Sequence, residues 1–97
     1  MISYREFAQK YQKRANIAFD GVLGTISFSI KALAHEFSRQ EAMGFKSGIP
    51  PEMRQLVNEG RSTGAHDFSR MFILISEQLE VSRAEARRRV QLLLEEL

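Results

Sequence analysis

The chain contains no cysteine, which excludes a disulfide scaffold and thiolate chemistry and fits a cytoplasmic setting. It has no uninterrupted apolar run of about 18 residues, the length a membrane-spanning helix needs. Met1-Ile2-Ser3-Tyr4-Arg5-Glu6 lacks the basic-then-apolar layout of a secretory signal. Also missing are a glycine-rich phosphate loop, a nucleophile elbow and any cluster with metal-ligand spacing. The two histidines sit beside carboxylates, as His35-Glu36 and His66-Asp67. Neighbours on a helix point about 100° apart, so neither dipeptide is a ready acid-base pair. The expectation is a cytoplasmic protein that is not an enzyme, with no cofactor, no metal and no membrane partner.

Charge of one sign is scarce as well. The net charge is +2, from 14 basic and 12 acidic groups, too small as a global quantity to imply nucleic-acid binding. Its distribution is less even: Arg5, Lys10, Lys13 and Arg14 crowd the first segment, and Arg83, Arg87, Arg88 and Arg89 the last. Exposed charge is what most helix surfaces carry, so each patch reads first as a solvated face with some ion pairing. Glu85, one turn before Arg89, is such a partner.

What is present is an ordinary globular composition, 43% apolar and 27% charged over 97 residues, enough for one domain with a modest core. The apolar pattern is helical nearly throughout, which predicts a single helical domain over 1–97. The fold class expected is all-α, a compact bundle of four or five helices with a Gly/Pro loop at 44–51.

Met71-Phe72-Ile73-Leu74-Ile75 places five large apolar residues in succession, more than one helical turn, and predicts a central helix wrapped on several sides. Upstream, Ser3 and Glu6 have capping-box spacing, with Ile2 and Phe7 at staple positions. Tyr4, Phe7, Ala8, Tyr11, Ala15 and Ala18 form the inward stripe of the first helix. Gly21 and Gly24 predict a break or kink within 19–25. Val22, Ile26, Ile30, Leu33, Ala34 and Phe37 then follow helical spacing in a helix extending to about Met43.

Gly44-Phe45-Lys46-Ser47-Gly48-Ile49-Pro50-Pro51 reads as the clearest break. Pro51 is suited to open the next helix, which carries Met53, Leu56 and Val57 inward and ends at Gly60. Thr63 or Asp67 is placed to cap the central helix, which runs to about Glu80. Ser82 and Glu85 repeat the capping-box spacing and start a last helix with Ala86, Val90, Leu93, Leu94 and Leu97 on one side and Leu92 on another.

Two features point to a partner. The loop carries Phe45 and Ile49 with little helical surface to cover them, and the Ile49-Pro50-Pro51 bonds are a substrate type for a prolyl isomerase. The terminal leucines exceed what a small monomer needs, which predicts a homodimer or a partner groove as an alternative to burial in the core. Phe45, Ile49, Pro50, Pro51, Leu93 and Leu97 are then the apolar anchors, with Arg87 and Arg88 as a polar rim.

The stretch from Ile75 to Val90 resembles the helix-turn-helix of GntR-type bacterial repressors, with Glu80 at the place of the turn glycine. That resemblance implies DNA contacts from Ser82, Arg83, Arg87 and Arg88. In size and in its cysteine-free, helical character, with a basic arm, an apolar loop and terminal leucines, the whole chain is similar to the anti-RecBCD proteins of lambdoid phages. Those proteins redirect a host helicase-nuclease by docking on it. The leading expectation is therefore a helical protein that binds and modulates a larger protein, such as a RecBCD-type enzyme. The alternative is a helix-turn-helix transcriptional regulator.

Overall fold

Helix formation begins where the first cap stands: Ser3 Oγ accepts from the Glu6 amide at 3.2 Å and opens α1, Tyr4–Ala15. The computed structural model describes residues 3–97, so the expected packing of Ile2 on Phe7 lies outside the described residues. Phe7, Ala8, Tyr11 and Ala15 are buried as their spacing requires, but Ala18 is exposed. The cause is Asn16, which takes the left-handed conformation (φ 54, ψ 49) and ends the helix. The Ile17 amide then closes on the Gln12 carbonyl at 3.3 Å, and Ile17 is the residue that enters the core.

The break thus falls before residue 19, not within 19–25. Helix α2, Phe19–Glu36, runs through Gly21 and Gly24 without interruption. Two interior glycines cost about 2 kcal/mol in propensity. Burial of Val22, Ile26, Ile30, Leu33 and Ala34 along the same helix exceeds that, at roughly 1.5–3 kcal/mol for each large side chain.

Helix α2 also stops earlier than the apolar spacing suggests. Phe37 is extended, and Ser38 and Glu41 form a complete capping box that starts α3, Arg39–Ser47. Helix α3 continues through Gly44, Phe45 and Lys46, so the loop expected over 44–51 shrinks to 48–50. Pro51 opens a 3-10 turn, Pro51–Met53, that leads into α4, Arg54–Glu59, with Gly60 at its end. Asp67 caps α5, Phe68–Leu79, by accepting from the Arg70 amide at 3.1 Å, and Ser82 caps α6, Arg83–Glu96, by accepting from Glu85 at 3.0 Å. The fold is all-α, with six helices among the described residues. The number exceeds four or five because one long apolar stretch is divided at Phe37-Ser38.

The pentad is not wrapped on several sides. Met71 and Ile75 are buried, Phe72 and Ile73 are half-buried, and Leu74 is exposed. Helix α5 packs one stripe against α2 and α6, so it is an outer helix. The wrapped element is α2, which touches α1, α4, α5 and α6. One core cluster gathers Phe7, Tyr11, Ile17, Ile26, Ile30, Ile49, Met53 and Leu93, and a second joins Leu33 to Met71, Ile75, Ala86 and Val90.

The closest backbone approach is at Gly60, where a Cβ atom would stand 2.6 Å from the Lys31 carbonyl oxygen and 2.8 Å from Ala34 Cβ. Gly60→Ala is therefore expected to cost about 1–3 kcal/mol by overpacking. At Gly44, inside α3, an added Cβ meets nothing within 4 Å, and Gly44→Ala is expected to gain about 0.5–1 kcal/mol. Urea denaturation of the two variants checks both signs.

Candidate interaction surfaces

The residues expected to form an apolar docking loop lie mainly in the interior. Ile49 and Pro50 are buried, and Phe45 is half-buried with its ring edge-on to Phe37, centroids 5.5 Å apart. Only Pro51 is exposed. The correction has a simple origin: α3 extends to Ser47, and the short link that follows dips under it to bring Ile49 and Met53 to α1. The Pro50 carbonyl is held by the Met53 amide at 2.9 Å, so the proline pair is part of the packed body.

The terminal leucines divide in a similar way. Leu93 is fully buried, Leu92 and Leu97 pack half-buried against the first cluster, and Leu94 alone among them is exposed. Leu93 is thus a core residue and not an anchor for a partner.

The C-terminal arginines are sorted by their neighbours. Arg88 donates to the Ala15 carbonyl at 2.6 Å, answering the open end of α1, and to both carboxylate oxygens of Glu85 at 2.8 Å. Arg89 donates to Glu85 at 2.8 Å, and its own carbonyl accepts from the buried Tyr11 hydroxyl at 2.7 Å. Burial raises the Tyr11 phenol well above its ordinary range. Glu85 was expected to reach back to the Ser82 amide, but both its oxygens face forward to the arginines. Those bonds, from Arg88 first and Arg89 second, hold its carboxyl down at about 2. In the N-terminal patch, Arg14 pairs with Glu95 and Glu96, tying α1 to α6.

Ser82 is occupied as a cap, and Arg87 lies over the Phe72 ring at 5.0 Å from its centroid. Arg83 is exposed. The turn between α5 and α6 does close as a helix-turn-helix turn would. Glu80 takes the left-handed conformation (φ 56, ψ 46), and the Val81 amide bonds to the Ser76 carbonyl at 3.0 Å.

The surface that spacing did not reveal lies between α1 and the start of α2, which meet at 106°. A groove of about 310 Å³ opens there, floored by Tyr4, Ala8 and Val22 and edged by Arg5 and Gln12. Phe19 stands beside it 80% exposed and Leu23 55% exposed. Both are one residue past the inward positions Ala18 and Val22 of the expected stripes, at an i, i+4 spacing that a helical wheel places on one edge. That offset was the available signal.

The histidines serve the fold. His35 Nδ1 donates to the Gly60 carbonyl at 3.0 Å, and His66 Nε2 meets Glu41 at 2.6 Å. Among the described residues, no three His, Asp or Glu side chains gather as a metal site requires. Among the described residues, no single helix is long and apolar enough to cross a membrane. Comparison with known families, characterised proteins and solved structures found no match to this chain.

Glu85 gives a pH dependence with a definite sign. Its carboxyl is depressed from 4.5 to about 2 in the folded state, so its contribution is complete above pH 4.5 and is lost as pH falls toward 2. Thermal melts should show Glu85→Gln less stable than the parent at neutral pH, with the gap closing in that interval. A gap unchanged at pH 2 would contradict the assignment.

Proposed function

We propose that the protein works without catalysis, by docking on a larger, nucleic-acid-processing protein such as a helicase-nuclease of the RecBCD type. The observation that supports this reading is the pairing of an open apolar groove with two large exposed side chains, Phe19 and Leu23, on one face of the α1–α2 corner. Aromatic side chains that stand out beside an apolar recess are the kind of anchor around which interfaces concentrate their binding energy. A phenylalanine left 80% exposed forgoes the hydrophobic stabilisation that its burial would give. Arg5 and Gln9 at the margin supply a polar rim. Because Ile49 and Pro50 are buried, this reading puts the docking surface at the α1–α2 corner and not on the Phe45–Pro51 segment.

Direct DNA binding stands as the second reading, favoured by the left-handed turn at Glu80 and by exposed Arg83 and Arg87 at the start of α6. Arg88, pinned to Ala15 and Glu85, is withdrawn from that set.

Phe19→Asp separates the two. An aspartate in the first turn of α2 complements the helix dipole, so stability should hold or rise slightly. Binding to purified helicase-nuclease, followed by surface plasmon resonance, should weaken by at least about tenfold if Phe19 is an anchor. Arg83→Glu with Arg87→Glu should leave that binding intact. Loss of salt-sensitive duplex affinity in the arginine variant, with no protein partner bound by the parent, would favour the DNA reading instead.

A further inference from the structure

A second cleft, of about 610 Å³, lies between α3 and the end of α4 and does not share a residue with the α1–α2 groove. Its rim carries Arg39, Lys46 and Arg61, and no carboxylate lines it. The acidic groups nearest in sequence are engaged elsewhere: Glu41 with His66 at 2.6 Å and Glu59 with Lys31 at 3.2 Å. Three cations therefore surround one concavity without internal neutralisation. That is unlike Arg14, Arg88 and Arg89, each of which has a carboxylate partner.

The floor is apolar. Ala42 and Val57 are buried beneath it, and Met43 projects from α3 with 67% of its surface exposed. Arg39, Met43 and Lys46 follow i, i+4, i+7 spacing, so they form one stripe with the two cations about 10 Å apart along the helix. The walls are held at a set distance, because Arg54 Nε donates to the Lys46 carbonyl at 3.2 Å and Lys46 Nζ to Asn58 Oδ1 at 2.8 Å. The lysine keeps two further N–H donors for a ligand.

Arg61 reaches the rim from the segment that follows α4. It holds a left-handed conformation (φ 54), which costs an ordinary residue about 1 kcal/mol and which glycine adopts freely. The segment after Gly60 imposes that conformation where it turns back over the end of α2, as it does at Gly64 and His66.

A cationic rim over an apolar floor, with a flexible methionine between the charges, matches a ligand that alternates in the same way. A polyphosphate backbone or a small free anion would pair with the cations but leave the exposed Met43 uncovered. We propose that the α3–α4 cleft docks an acidic amphipathic helix of a partner protein. Two carboxylates two turns apart on that helix pair with Arg39 and Lys46, and an apolar residue between them seats against Met43. Arg61 closes the third side. This site goes beyond the α1–α2 corner and does not depend on it.

The test uses the full chain and a synthetic helical peptide with glutamates at i and i+7 and leucine at i+4. A peptide of the same composition in scrambled order and a single-stranded oligonucleotide of equal charge serve as comparisons. NMR titration follows the Met43 methyl group and the Arg39 and Arg61 amides, and fluorescence anisotropy gives the affinities. The patterned peptide is expected to shift those signals and to bind at least about tenfold more tightly than the scrambled one. Arg39→Glu with Lys46→Glu should remove that preference. Met43→Asp, at an exposed position that does not threaten folding, should weaken binding by about tenfold. Equal binding of the scrambled peptide, tighter binding of the oligonucleotide, or indifference to Met43→Asp would each overturn the proposal.

Discussion

The structure depends on how the buried end of α2 is finished. A helix leaves its last carbonyl groups without partners inside the helix, and burying such groups unpaired is costly. Here the segment after Gly60 runs back across that end and answers them. Ser62 Oγ donates to the Ala34 carbonyl at 2.7 Å, and the Thr63 amide and hydroxyl both donate to His35 at 2.9 and 2.8 Å. The His66 amide donates to Glu36 at 3.1 Å and the Gly64 amide to Phe37 at 2.7 Å. The Glu36 side chain, 1% exposed, receives the Asp67 amide at 2.8 Å. The segment from Arg61 to Asp67 is thus the cap of α2. Its shape explains why Gly64, Arg61 and His66 all hold positive φ.

That cap decides the topology around it. Because the linker must return over the end of α2, Gly60 is drawn against Lys31 and Ala34, and α4 is pressed onto α2. Asp67 is delivered by the same path, with its amide held by Glu36 and its side chain free to cap α5. The centre of the fold is therefore α2 and not the apolar pentad of α5. Five consecutive apolar residues do exclude a fully solvated helix, but they do not require a hub. Phe72 is covered in part by the guanidinium of Arg87, and Leu74 simply remains exposed.

Helical class, inward stripes and most caps were legible in the sequence, because 3.6-residue spacing and side-chain caps are local properties. Ser3, Asp67 and Ser82 cap as their spacing implies, and Pro51 and Gly60 bound the short α4 turn. The boundaries that were misplaced turn on competing local signals. Ser38-Arg39-Gln40-Glu41 carries the same capping pattern as Ser3 to Glu6, yet it lies inside an apolar repeat that continues through it. Asn16 ends α1 by a left-handed turn that apolar spacing alone does not report, while Gly21 and Gly24 suggest a break that tertiary burial overrides.

The interaction surfaces were less legible for a related reason. Exposure belongs to the assembled fold, so a count of apolar residues beyond the needs of one helix says nothing about which of them find cover. Ile49 and Leu93 found it in the cluster that also holds Phe7, Tyr11 and Ile30, and Pro50 is buried beside Ile49. Phe19 and Leu23 did not, because the turn at Asn16 sends α2 away at a wide angle and leaves the inside of the corner open. The arginines follow the same logic. Arg88 and Arg89 lie on the side of α6 that meets α1 and α2, where the Ala15 carbonyl, Thr25 Oγ1 and the Glu85 carboxylate accept from their guanidinium groups. Arg39 and Arg61 have no such neighbours, since α3 packs mainly on α4 and turns its charged stripe toward the cleft between them. Crowding in sequence thus does not decide which cations stay open: Arg88 and Arg89 are taken up by their neighbours, while Arg83 and Arg87 of the same run are exposed, as Arg39 and Arg61 are.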